Sequence, residues 1–129
     1  MKTIAATAAL IAAVPLAVLG AAPAHAGADR EVIRHGSCSA STDWKIKAKA
    51  DDGRIEVESE VDSNRSGQTW HWVLRHDGNL VDRGRSMTAG RSGSFDVERK
   101  ARNSAGADAF TFRAVNRVSG EVCVARVRF

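Results

Sequence analysis

The stretch that decides the fold is residues 44–61, Trp44-Lys45-Ile46-Lys47-Ala48-Lys49-Ala50-Asp51-Asp52-Gly53-Arg54-Ile55-Glu56-Val57-Glu58-Ser59-Glu60-Val61. On either side of Asp51 to Arg54, small or apolar residues alternate with charged ones, lysines before the break and glutamates after it. A period of two is the mark of a half-buried strand. Asp-Gly favours a two-residue type I′ turn, whose twist matches that of the strands it joins. With Asp52-Gly53 as that turn, Ala50 faces Ile55, Lys49 faces Glu56, Lys47 faces Glu58 and Lys45 faces Glu60. A slip of one residue would scatter both the apolar side and the charge ladder, so the register is strongly specified. Each exposed pair is worth only about 0.2–1 kcal/mol. The ladder fixes pairing more than it adds stability, and it reads as a solvated face because its two signs cancel.

Working outward, the same alternation recurs with turn signals between runs, and no segment after residue 26 keeps a helical period. Strands are expected at 69–75, briefly around Leu80-Val81 after an Asp77-Gly78 turn, then at 94–98, 109–114 and 122–129. Residues 84–93, rich in Gly, Ser and Arg, read as a loop, and residues 27–37 as an irregular lead-in. The expected class is an all-β, seven-stranded antiparallel sandwich.

The amino-terminal region reads as a cleaved signal peptide, residues 1–26. Lys2 provides a positive start, residues 4–19 an apolar, Ala-rich run, and Ala24-His25-Ala26 a small-x-small cleavage site. The apolar run falls short of the roughly 20 residues a membrane span requires. Residues 27–40 then form a lead-in carrying Cys38, and 41–129 the sandwich domain. The expected localisation is secreted, with no membrane span after cleavage.

Cys38 and Cys123 are the only cysteines. An even pair in an exported chain reads as a disulfide. A two-cysteine metal site is the rival, but no histidine stands at ligand spacing.

The residues around two of the strands resemble immunoglobulin-like and fibronectin type III-like domains. Trp70-x-Trp72-x-Leu74 is similar to their strand C with its buried tryptophan. Gly106-Ala107-Asp108-Ala109-Phe110-Thr111-Phe112-Arg113-Ala114-Val115-Asn116 is similar to their strand F pattern, G-x-D-x-Y-x-C-x-A-x-N. Phe110 stands where that pattern has tyrosine and Phe112 where it has cysteine, so the usual inter-sheet bridge is missing and a fibronectin-type arrangement fits better. The resemblance implies that the strands at 69–75, 109–114 and 122–129 are adjacent. It also implies that Cys38 and Cys123 lie at one pole.

If Trp70, Trp72, Phe110, Phe112, Cys123, Ala125 and Val127 point inward, alternation turns His71, Val73, Arg75, Arg113, Val115, Val124, Arg126 and Arg128 outward. That face carries arginines among valines and no acidic residue, which makes it the candidate interaction face. The whole chain carries a net charge of +4, and removing Lys2 leaves +3. Such mild basicity suits adhesion to an acidic protein or an anionic cell-envelope polymer, not sequence-specific nucleic-acid binding.

Catalytic readings are weak. No nucleophile elbow occurs, and odd spacing puts His71 and His76 on opposite faces of a strand. Glu56, Glu58 and Glu60 each have a lysine opposite, with no desolvated pocket to tune them. Asp62-Ser63-Asn64 offers oxygens to a calcium ion but reads more simply as a turn. No catalytic residue, metal or cofactor is expected. The expected function is that of a monomeric, non-catalytic binding domain. The alternatives are an inhibitor of an extracellular enzyme, acting through the 84–93 loop, or a small-ligand carrier.

Overall fold

The computed structural model describes Gly20 and residues 30–129; the signal-peptide reading of 1–26 falls almost wholly outside them. Eight strands follow one another along the chain, β1 (Glu31–Ser37), β2 (Asp43–Asp51), β3 (Arg54–Asp62), β4 (Thr69–His76), β5 (Asn79–Met87), β6 (Ser94–Arg102), β7 (Ala109–Val115) and β8 (Val122–Arg128). They form two antiparallel four-stranded sheets, ordered β1-β2-β3-β6 and β5-β4-β7-β8. Among the described residues, no helix is long and apolar enough to cross a membrane.

The β2–β3 hairpin has the register expected from its charges: Ala50 pairs with Ile55, Lys49 with Glu56, Lys47 with Glu58 and Lys45 with Glu60. Asp52 and Gly53 take φ of 45° and 78°, the left-handed pair that a type I′ turn requires. Lys47 Nζ lies 3.3 Å from Glu58 and Lys45 Nζ 4.0 Å from Glu60.

Between the sheets lies the core. Trp70, Phe110, Phe112, Leu74, Ile46, Ile55, Val57 and Val61 are all fully buried there. Trp70, Trp72, Phe110, Phe112, Cys123, Ala125 and Val127 all face inward, as alternation requires. Phe129 closes the far end, with the Arg30 guanidinium 4.4 Å above its ring.

The structure has one strand more than the seven expected, because residues 31–37 are a strand and not an irregular lead-in. β1 pairs with β2 along its whole length, from Glu31 opposite Lys49 to Ser37 opposite Asp43. Its inward positions are Val32, Arg34 and Gly36, which carry no apolar period. A Cβ on Gly36 would lie 2.3 Å from Cζ2 of Trp44, so the indole occupies the space a side chain would need. β5 departs from expectation in the same way. It runs nine residues, from Asn79 to Met87, and takes in the first four residues of the segment read as the 84–93 loop. Its inward positions Asp82, Gly84 and Ser86 are polar or bare because they meet the polar rim of the core. Ser86 Oγ accepts the Trp72 Nε1–H (3.1 Å), and Asp82 accepts from Arg99 Nε (2.8 Å).

Cys38 and Cys123 form a disulfide across 85 residues, joining the turn before β2 to the start of β8. Backbone bonds surround the bridge. Ser39 N donates to Val122 O (2.9 Å), Val122 N to Ser39 Oγ (2.9 Å), and the Glu121 carboxylate accepts from Ala40 N and Thr42 N (2.9 and 3.0 Å). The two sheets are thus clasped at one pole by a covalent bond set among hydrogen bonds.

Candidate interaction face

The outer face of the second sheet reads as rows of cross-strand neighbours. Arg85, His71, Val115 and Val122 form one row, and Arg83, Val73, Arg113 and Val124 the next. Leu80, Arg75, Thr111 and Arg126 follow, then Ala109 and Arg128. Strands in a sheet lie about 4.8 Å apart and same-face residues about 6.6 Å apart along a strand. The arginines therefore stand on a lattice of charge separated by strips of valine.

An open depression of about 750 Å³ sits in the first two rows, lined by His71, Trp72, Val73 and Val115. Arg83, Arg85, Arg113 and Arg117 rim it. Gly84, between the two β5 arginines, faces inward against Trp72, so Arg83 and Arg85 are the β5 side chains at the depression. Among the described residues, none of Arg83, Arg85, Arg113, Arg117, Arg126 and Arg128 makes an ion pair with a carboxylate. Burial, followed by the repulsion of Arg117 and Arg85, holds the His71 imidazole below its ordinary range.

Of the outward residues expected from the sequence, His71, Val73, Arg113 and Val115 line this depression. Arg75, Val124, Arg126 and Arg128 share the face but lie outside the lining. Arg83, Arg85 and Arg117 were missed as members of the face. Arg85 belongs to the 84–93 segment that reads as loop, and Arg83 lies between that segment and the short strand expected around Leu80-Val81. The signal available for them was the alternation of Asp82, Gly84 and Ser86 with Arg83 and Arg85.

What remains of the 84–93 loop is a short turn, stitched down at several points. Thr88 N donates to Gln68 O (2.8 Å), Gln68 N donates to Thr88 Oγ1 (2.9 Å), and Gly67 N donates to Thr88 O (2.7 Å). Ser63 N donates to Gly93 O (3.0 Å), and Ser66 Oγ to Gly90 O (2.5 Å). The segment is held against the 63–68 turn and does not project as a separate binding loop.

Two clusters bring metal-ligating atoms together. His76, Asp77 and Asp108 converge at the end of β4. His76 Nε2 donates to Asp108 Oδ1 (2.6 Å), while Ser104 N donates to the same oxygen (3.1 Å) and Ala109 N to Asp77 Oδ1 (2.8 Å). With its amide nitrogen turned toward the carboxylate, Asn103 donates to Asp108 Oδ2 (3.1 Å). These donors already satisfy a carboxylate that is 1% exposed, and the imidazole stacks on Phe110 at 4.5 Å. The arrangement is a polar latch between the β4–β5 turn and the approach to β7. His71 and His76 do lie on opposite faces of β4. Glu56, Glu58 and Glu98 form the second cluster, on the outer face of the first sheet. In the 62–64 turn, Asp62 Oδ1 accepts Asn64 N (3.0 Å), a use for that carboxylate that involves no ion.

Compared with protein-family models, with curated proteins and with solved structures, the chain matches none.

Proposed function

We propose that this chain is an exported, non-catalytic binding domain. In this reading it is a fibronectin type III-like sandwich that engages an acidic protein or an anionic cell-envelope polymer through the outer face of β5-β4-β7-β8. The observation that carries the reading is a sheet face with arginines on all four strands, no acidic side chain, and no intramolecular ion pair at its rim. Unpaired guanidiniums favour carboxylate or phosphate groups, which they bind through paired N–H donors. The order β2-β3-β6 facing β5-β4-β7-β8 supports the fibronectin-type reading, and the disulfide supports export. A stitched-down 88–93 turn and a depression open to solvent lend less support to an inhibitor loop or an enclosed carrier cavity.

The test is retention of the purified domain on immobilised poly-L-glutamate and on isolated cell-envelope polymer at low ionic strength. Retention should fall at least tenfold on reversal of Arg113 and Arg126 to Glu, with the fold intact by circular dichroism. Unchanged retention of that variant overturns the assignment of the face.

A further inference from the structure

The two outer faces of the sandwich differ in sign. The first sheet's outer rows include Lys47, Glu58 and Glu98, then Lys45, Glu60 and Asp96, then Asp43 and Asp62. β6 changes the reading of the hairpin ladder. Lys47 and Lys45 neutralise the glutamates of β3, but β6 sets Glu98 directly opposite Glu58 and Asp96 directly opposite Glu60. Like charges facing each other across a strand pair destabilise it. Carboxylate oxygens of Glu56, Glu58 and Glu98 gather within 4.8 Å of one another, and among the described residues Asp96 and Glu98 have no ion-pair partner. The fold therefore keeps an excess of carboxylates around Asp96 and Glu98 on one face, bordered by Lys47 and Lys100, and arginines without ion pairs on the opposite one.

We infer that the acidic partner of the arginine face includes a second copy of this chain, and that copies stack head to tail. In each contact Arg83, Arg85, Arg113 and Arg117 of one copy meet the acidic block around Asp96 and Glu98 of the next. The inference rests on the binding reading of the arginine face given above and names one partner for it.

Charge sign sets the symmetry. A two-fold contact would bring like faces together, arginine on arginine, which repels. Joining unlike faces is a heterologous contact, and since the faces lie on opposite sides of the domain, it repeats without closing a ring. Size sets the strength. Both sheets have four strands of at least seven residues, which gives a footprint of about 440 Å² at ordinary strand spacings. A stable complex buries about 800 Å² per partner. The contact is therefore weak, screened by salt and significant only at high local concentration, such as on a surface where many copies gather.

Sedimentation velocity over a concentration series at low ionic strength tests this with four samples. These are the natural domain, R85Q/R113Q, D96N/E98Q, and an equimolar mixture of the two variants. Each variant loses one face and keeps the other. The natural domain should show a weight-average mass that rises steadily with concentration and returns to monomer in about 1 M salt, where the screening length is about 3 Å. Each variant alone should sediment as a monomer, and the mixture should stop at a one-to-one complex, because each chain then has a single usable face. A natural domain that stays monomeric throughout overturns the stacking inference, as does association that survives in either variant alone. Poly-L-glutamate retention separates the two readings. A monomeric domain still retained through Arg85 and Arg113 leaves the binding face standing without self-stacking, whereas loss of retention removes the binding reading itself.

Discussion

The indole of Trp72 fills the space that a side chain on its cross-strand neighbour Gly84 would need: a Cβ there would lie 2.9 Å from Cζ2 of the ring. On the first sheet Trp44 does the same to Gly36, at 2.3 Å. In each case a tryptophan near the sandwich margin is roofed by an edge strand whose glycine admits it. The ring is then finished by polar groups. For Trp72 these are the Ser86 hydroxyl and the Arg99 guanidinium, 5.2 Å from the ring centre.

Gly36→Ala should therefore destabilise the domain by about 1–3 kcal/mol, the usual cost of overpacking, and Gly84→Ala by less, since its contact is less severe. Urea unfolding of the two variants checks the ranking. An unchanged midpoint for Gly36→Ala would show that Trp44 has room to move.

Replacing both Cys38 and Cys123 with Ala should cost about 2–5 kcal/mol, with the chain-entropy model giving on the order of 4.5 kcal/mol for a loop of this length. Glu121 and Ser39 should hold the local geometry, so the native circular dichroism spectrum is expected to persist while the urea midpoint falls.

Asp108 sets an acid limit. Burial opposes its ionisation, but hydrogen bonds from His76 and Ser104 more than offset this and hold its pKa below the usual carboxylate value. A carboxylate with a depressed folded pKa contributes stability that is present above its unfolded pKa, about 3.9. That contribution is lost as pH falls through the folded value. Stability measured by urea unfolding from pH 7 downward should thus decline below about pH 4. Asp108→Asn should be less stable than the natural domain at pH 7, by about 1–3 kcal/mol, and should show a shallower decline in acid.

His71 reports on the arginine rim. Neutralising Arg117 or Arg85 should raise its pKa, and so should filling the depression with poly-L-glutamate, because each removes or screens positive charge. Following the imidazole resonances across pH by NMR measures both shifts. A His71 titration indifferent to the polymer, under conditions where the domain is retained on it, would place binding elsewhere on the molecule.

Strands with an apolar side turned to the core were legible in the sequence, the edge strands β6 and β8 among them, while the other two edges, β1 and most of β5, were not. In β2, β3, β4, β7 and β8 one side of every strand meets the core, so burial imposes a period of two on the residues themselves. An Asp-Gly turn then fixes the β2–β3 pairing to the residue. β1 and β5 are margins. Their inward positions (Val32, Arg34 and Gly36, and Asp82, Gly84 and Ser86) answer to a bulky neighbour or to a polar rim, and neither requirement leaves an apolar alternation. The candidate face inherits that division. His71, Val73, Arg113 and Val115 were readable from central strands, while Arg83 and Arg85 became visible only once β5 was seen to continue past Val81. The acidic block was hidden for a different reason. Glu58 and Glu60 look neutralised within their own hairpin, and the partners that undo this, Glu98 and Asp96, come from a strand almost 40 residues later.

The Cys38–Cys123 bridge has a mechanical meaning. Tension applied between the two ends of the domain passes straight across it, because 85 residues separate the cysteines along the chain while their Cα atoms are 4.3 Å apart. Fully extended, that length would pay out roughly 290 Å of slack, all of it withheld while the bridge is intact. Pulling would peel β1 on one side and the remainder of β8 on the other, then stop. A domain built this way transmits a load as a nearly inextensible link and yields its length only to a reductant.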